Sequence, residues 1–201
     1  MKQQVVVIHG GEAYTSYKRY ITDLKDKPYF TSSYNRGWKA NLQRDLGSRY
    51  EVMMPRMPSP QNAKYREWKI WFDKVVPYLR DGVIFVGHSL GGVFLSKYLN
   101  ENEFPHKIKG LFLVAAPYST KFDPCGDFSL PDRLTGLILT GAKKFLYHSE
   151  DDKIVPSVSV YRYLDRLPFA HLRIYKKKGH FLQDSFPRLV SDIKRINDYK
   201  I

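Results

Sequence analysis

The stretch that decides the fold runs Val83-Ile84-Phe85-Val86-Gly87-His88-Ser89-Leu90-Gly91-Gly92-Val93-Phe94-Leu95-Ser96-Lys97-Tyr98-Leu99-Asn100. Four apolar residues, three of them β-branched, predict a strand at Val83–Val86 that is covered on both faces. Leu90–Asn100 reads as a helix. Between them, Gly87-His88-Ser89-Leu90-Gly91 is a G-x-S-x-G turn in the strand–turn–helix setting that such a motif requires. Small residues two positions before and after the serine leave room for the chain to approach itself closely. A serine held there stands at a helix N-terminus, where the dipole and free N–H groups favour a developing negative charge.

Outward from this turn, short β-branched runs alternate with longer amphipathic segments, the pattern of an α/β protein with a mostly parallel sheet. Further strands are expected at Val5–Ile8, Tyr50–Met53, Leu111–Val114, Lys144–His148 and His171–Tyr175. Helices are expected at Trp38–Leu46, Ala63–Leu79, Ser157–Leu167 and Phe186–Asn197. In the second of these Tyr65, Trp68, Trp71, Phe72, Val75 and Val76 recur at spacings of three and four, an aromatic stripe for core packing. Tyr118–Gly141 reads poorly as a crossover helix and is read as a small cap or lid, or equally as an irregular loop with one helical turn, within a single domain spanning 1–201.

A serine hydroxyl needs an imidazole to take its proton and a carboxylate to orient that imidazole. The order Ser, acid, His is expected for a G-x-S-x-G turn in this setting. His180 follows the last expected strand, and Gly179 lets its loop turn inward. The acid should follow the strand Lys144–His148, where Glu150, Asp151 and Asp152 compete; Asp152 is preferred and Asp151 stands next. The oxyanion would be held by the N–H of Leu90 and by a second from His9-Gly10-Gly11-Glu12, with Gly11 the first choice and Glu12 the alternative. Tyr14, Tyr118 and Phe181 are expected to line an apolar acyl pocket.

Composition bounds the rest. The 201 residues carry 33 Lys and Arg against 20 Asp and Glu, a formal net charge of +13. Such a surface attracts anions, but the basic residues are dispersed apart from Lys176-Lys177-Lys178, and no nucleic-acid-binding motif is visible. Nucleic acid is therefore the weaker expectation, against a small-molecule ester substrate. Cys125, the single cysteine, forms no intramolecular disulfide and builds no zinc cluster, so no metal or other cofactor is expected. The apolar run at the N-terminus is too short for a signal peptide, and no stretch reaches transmembrane length. A cytoplasmic protein is expected, as a monomer or a dimer.

Together, GHSLGG after VIFV, DDKIVP after KFLYH, and KGHF near the end resemble the α/β hydrolases. The chain length and the helix YREWKIWFDKV are most similar to the small serine hydrolases of the YdeN and retinoblastoma-binding protein 9 type. The resemblance implies six mainly parallel strands in the order 2-1-3-4-5-6 between helical layers, and a triad of Ser89, Asp152 and His180 without a cofactor. It also implies hydrolysis of carboxylic esters, with lactones and thioesters as further substrates and a peptidase or amidase as the alternative. A non-catalytic binding module of the same fold, binding polyanions through its basic surface, is the reading from another class. The segment Tyr14–Trp38 and the positive charge depart from the group.

Overall fold

The structure is a computed structural model, and it describes residues 1–27, 36–119 and 125–199. Six strands form one parallel sheet: β1 (Gln3–Ile8), β2 (Tyr50–Met53), β3 (Val83–His88), β4 (Ile108–Val114), β5 (Lys143–Ser149) and β6 (His171–Tyr175). Their spatial order is β2-β1-β3-β4-β5-β6, the order that the family resemblance implies. β3 is buried along its whole length, as its unbroken apolar run requires in a sheet covered on both sides.

The described helices are α1 (Tyr17–Asp26), α2 (Trp38–Leu46), α3 (Tyr65–Asp73), α4 (Leu90–Glu101), α5 (Thr135–Leu139), α6 (Val158–Arg166) and α7 (Pro187–Lys194). They sort by which side of the sheet their apolar residues bury. Leu42 and Leu46 of α2 and Leu189 and Ile193 of α7 cover one face with Val5, Val7, Ile84 and Val86. Trp68 and Phe72 of α3, Val93 and Phe94 of α4 and Val160 and Tyr163 of α6 cover the other with Val6, Ile8, Phe85 and Leu111. The alternation of neighbours along β1 and β3 between two cores follows from the two-residue period of a strand.

Three features depart from expectation. The helix expected over Ala63–Leu79 ends at Asp73 and continues only as a 3-10 turn at Val76–Tyr78. Pro77 has no N–H to donate and disfavours helical geometry at the residue before it. Trp71, assigned to the core stripe, is 45% exposed, while Trp68 and Phe72 are fully buried; at 100° per residue, positions 68 and 72 share a face and 71 turns away from it. Helix α1 falls in the segment Tyr14–Trp38, read from sequence only as an insertion. Ser16 caps it, its hydroxyl accepting the N–H of Arg19, and no α1 residue is buried. An element without a core face offers no apolar period to read. Residues 28–35 of that segment lie outside the described residues.

Within the segment 118–141, residues 120–124 also lie outside them. Phe128, Leu130, Leu134 and Leu137 are buried in the core beside α4, and Gly136 packs against the Asn100 carbonyl so closely that a β-carbon would collide with it. Among the described residues no helix is long and apolar enough to cross a membrane, and no group of His, Cys, Asp and Glu could hold a metal ion.

Candidate active site

Parallel strands that share one direction bring their C-terminal ends to one edge of the sheet, where ligands of open α/β sheets bind. The loops after β1, β3, β5 and β6 meet at that edge, and each carries one component of the site. Ser89 sits in the turn from β3 to α4 with φ +54° and ψ −125°, a conformation that L-residues with a side chain rarely adopt and that persists only where its surroundings over-determine it. The Ser89 N–H donates to the Val114 carbonyl at 2.8 Å, and the Gly92 N–H donates to the Ser89 carbonyl at 2.9 Å. The glycines are sterically required. A β-carbon on Gly91 would fall on the carbonyl oxygens of Ile8 and His9, and one on Gly87 would meet the backbone of Gly91 and Gly92.

The loop after β1 closes over this turn. A β-carbon on Gly10 would lie 3.1 Å from Ser89 Cβ and 3.6 Å from its Oγ, and one on Gly11 would lie 3.3 Å from the Leu90 side chain. The loop is pinned on its far side: the Glu12 N–H donates to the Pro60 carbonyl and the Glu12 carbonyl accepts from Ala63, each at 2.8 Å. That bond occupies the N–H of Glu12, the alternative oxyanion donor. Among the described residues the N–H groups of Leu90 and Gly11 have no protein acceptor. His9 is held in one tautomer, since its Nε2 accepts the Met57 N–H at 2.9 Å and its Nδ1 therefore donates to the Gly10 carbonyl at 2.6 Å. Burial lowers its pKa, which favours this neutral form.

His180 and Asp152 come from the loops after β6 and β5, joined by a bond of 2.8 Å from His180 Nδ1 to Asp152 Oδ2. The other carboxylate oxygen of Asp152 accepts the N–H groups of Ile154 and Val155 at 2.8 and 3.0 Å. Burial acts to raise the pKa of Asp152, and the His180 bond with the two backbone bonds overcomes it, so the net shift is downward. With Nδ1–H committed to the carboxylate, Nε2 of His180 is left as the acceptor. Among the described residues Ser89 Oγ makes no hydrogen bond. The structure thus joins Asp152 to His180 but does not close a bond from Ser89 to the imidazole.

The residues expected around an acyl pocket are dispersed. Phe181 is fully buried at φ +54° and packs against Phe186 and Tyr175, so its ring belongs to the core beside α2 and α7. Tyr118 is buried against Tyr163 in the opposite core, and among the described residues its hydroxyl has no hydrogen-bond partner. Tyr14 donates to Glu12 at 2.6 Å and accepts from Lys27 at 3.1 Å.

Asp151, the second-choice acid, does not reach the imidazole but ties the two later loops together: its Oδ1 accepts the Ser149 hydroxyl at 2.6 Å and the N–H groups of Lys178 and Gly179 at 3.1 and 2.8 Å. Sequence reading missed further residues around the site. Helix α2 grips the histidine loop. Trp38 Nε1 donates to the Phe181 carbonyl, the Trp38 N–H donates to that of Gln183, and Asn41 donates to that of Asp184. His88 bonds the His180 carbonyl and faces Lys39. The adjacency of His88 to Ser89 was the one visible signal; that Trp38 and Asn41 reach a loop some 140 residues on is set by the fold.

The comparisons agree with this architecture. The family model described as serine hydrolase matches residues 27–187. Comparison with the curated proteins gives no match. Among solved structures, the ydeN gene product from B. subtilis superposes with a TM-score of 0.79 at 20% identity, covering 98% of this chain and 100% of that one. Naproxen esterase from Bacillus subtilis gives a TM-score of 0.62 at 14% identity, over 98% of this chain and 84% of that one. An esterase from Exiguobacterium antarcticum gives 0.60 at 14% identity, over 97% and 92%. At these identities the structures establish the α/β-hydrolase fold, whereas the family match spans most of the chain: the chain belongs to the serine hydrolase family.

Proposed function

We propose that the chain hydrolyses carboxylic esters through an acyl-enzyme on Ser89, with His180 as general base and acid and Asp152 as its orienting carboxylate. The observation that carries this reading is the 2.8 Å bond between two side chains that solvent scarcely reaches, Asp152 and His180, on loops that meet beside the strained Ser89 turn. Two of the similar structures are named as esterases.

Ser89 Oγ attacks the ester carbonyl as its proton passes to Nε2 of His180. Asp152 holds Nδ1–H and stabilises the imidazolium that forms. The tetrahedral oxyanion takes the N–H groups of Leu90 and Gly11, aided by the dipole of α4. Collapse expels the alcohol with the proton from His180. Water then attacks the acyl-enzyme, His180 takes its proton and returns it to Ser89, and the acid leaves. Such preorganised donors contribute a factor of roughly 10²–10³ each. The lone Cys125 suits a reducing compartment, in keeping with a cytoplasmic enzyme.

A fluorophosphonate probe tests the nucleophile, and a series of p-nitrophenyl esters of rising acyl length tests the reaction. Wild type should be labelled on Ser89 and should turn over the short or medium esters, while Ser89→Ala should do neither. Equal labelling or equal turnover by Ser89→Ala would sink the proposal.

A further inference from the structure

Lys39 is the most unusual charged group near the site. It lies on the inner face of α2 and is 3% exposed. Among the described residues it has no carboxylate partner. Its Nζ lies 3.4 Å from Nδ1 of His88 and 5.2 Å from the centre of the Trp38 ring. A buried, uncompensated ammonium is expensive to maintain, and packing alone would be better served by an apolar residue.

The hydrogen bonds around it have a definite polarity. An ammonium can only donate, so Nδ1 of His88 must accept. The proton of His88 is then on Nε2, which donates to the His180 carbonyl at 2.8 Å. His88 and His180 also lie with ring centres 4.9 Å apart. With the bonds from Trp38 and Asn41, four carbonyls of the segment 180–184 are held from α2 and His88. The His88 bond is the one made by the histidine proposed as base.

We propose that Lys39 and His88 are positioning residues for the imidazole of His180: the Lys39 ammonium imposes the Nε2–H tautomer on His88, and that N–H fixes the backbone from which the His180 ring projects. This rests on the reading of His180 as base. The charged and titratable groups facing the pair are Arg36 ahead of α2, His9 after β1 and His180 itself, and His9 in turn faces Arg56 after β2. Burial, with Arg36 adding to it, brings the Lys39 pKa down to about 8. Burial also holds the His88 pKa well below its ordinary value, with Lys39 and His180 adding to it, so His88 stays neutral. When Lys39 loses its proton its amine can accept as well as donate, and the constraint on His88 lapses. The other tautomer turns a lone pair toward the His180 carbonyl and releases it.

The test pairs a structural readout with a kinetic one. Long-range ¹H–¹⁵N correlation spectra of the labelled protein report each imidazole tautomer, with His88 assigned by its loss in H88Q. At pH 7 the wild type should show His88 with a protonated Nε2, and K39M should show mixed tautomers. With p-nitrophenyl acetate, kcat/KM of the wild type should fall on the alkaline side near pH 8. K39M should lose about tenfold in kcat with KM within about twofold, and its alkaline fall should vanish. H88Q, whose amide can still donate to the His180 carbonyl, should keep activity within about threefold and also lose the alkaline fall. A wild-type His88 protonated on Nδ1, or a K39M profile superimposable on that of the wild type, would overturn the proposal. If the wild type hydrolyses no ester, the ester reading fails by itself, and the His88 tautomer in wild type and K39M still decides the positioning role.

Discussion

His180 and Asp152 are joined by a single 2.8 Å hydrogen bond that spans two separate βα loops. Its removal should therefore be kinetic in effect. Asp152→Asn presents an amide where the Nδ1–H now finds an acceptor, so the imidazole can adopt the wrong tautomer. A loss of roughly 10³–10⁴ in kcat, with KM little changed, is expected in steady-state ester hydrolysis. A loss under tenfold would remove Asp152 from the proposed triad.

Ser89 sets stability against function. Its φ of +54° is strained for serine and relaxed for glycine. Ser89→Gly should abolish activity yet stabilise the fold by about 1 kcal/mol in urea unfolding, whereas Ser89→Ala should abolish activity without that gain. A Ser89→Gly variant less stable than Ser89→Ala would show that the turn is not under strain.

Asp151 should be separable from Asp152 by a stability measurement. It binds Ser149 and two N–H groups of the histidine loop. Asp151→Ala leaves those donors to water and unties the loops. The expected result is a lower Tm together with partial loss of activity. Unchanged Tm and rate would make the bonds incidental.

Asp192 should dominate the acid side of the stability curve. Fully buried, it accepts from Tyr147 at 2.7 Å, from Tyr199, from Arg188 and from Arg173 at 3.2 Å. Burial opposes its ionisation, but these donors outweigh burial and hold its pKa below the ordinary value. A carboxyl whose folded pKa is depressed contributes stability above its unfolded pKa and loses that contribution as pH falls through the folded value. Asp152 has the same sign. Asp192→Asn should destabilise by about 3–5 kcal/mol at pH 7 and by less at pH 3. A difference independent of pH would refute this.

Lys39 has the opposite dependence. Its folded pKa of about 8 lies below the 10.5 of an unperturbed lysine. Between those values the unfolded chain binds more protons, so stability rises with pH there. From pH 7 to 10.5 the wild type should gain about 3 kcal/mol relative to Lys39→Met, as read by paired urea titrations. Parallel curves would mean that Lys39 is not buried as a cation.

The sequence by itself determined the six strands, the serine turn and the loops in which Asp152 and His180 stand, while the strand order came from the resemblance of its motifs to a known family. The first three are encoded by local chemistry: β-branched runs for strands, and glycines where no β-carbon fits. Where burial is shared between distant segments, sequence was silent or misleading. Trp71 and Phe72 are equally apolar, and only the packing of α3 turns one outward. Asp151 and Asp152 differ by one position, and only the meeting of the β5 and β6 loops decides that one holds a ring and the other a backbone. Phe181 adjoins the imidazole in the chain, yet its ring lies in the core. The grip of α2 and His88 on residues 180–184 belongs wholly to the tertiary structure, since its hydrogen bonds join segments that are remote in the chain.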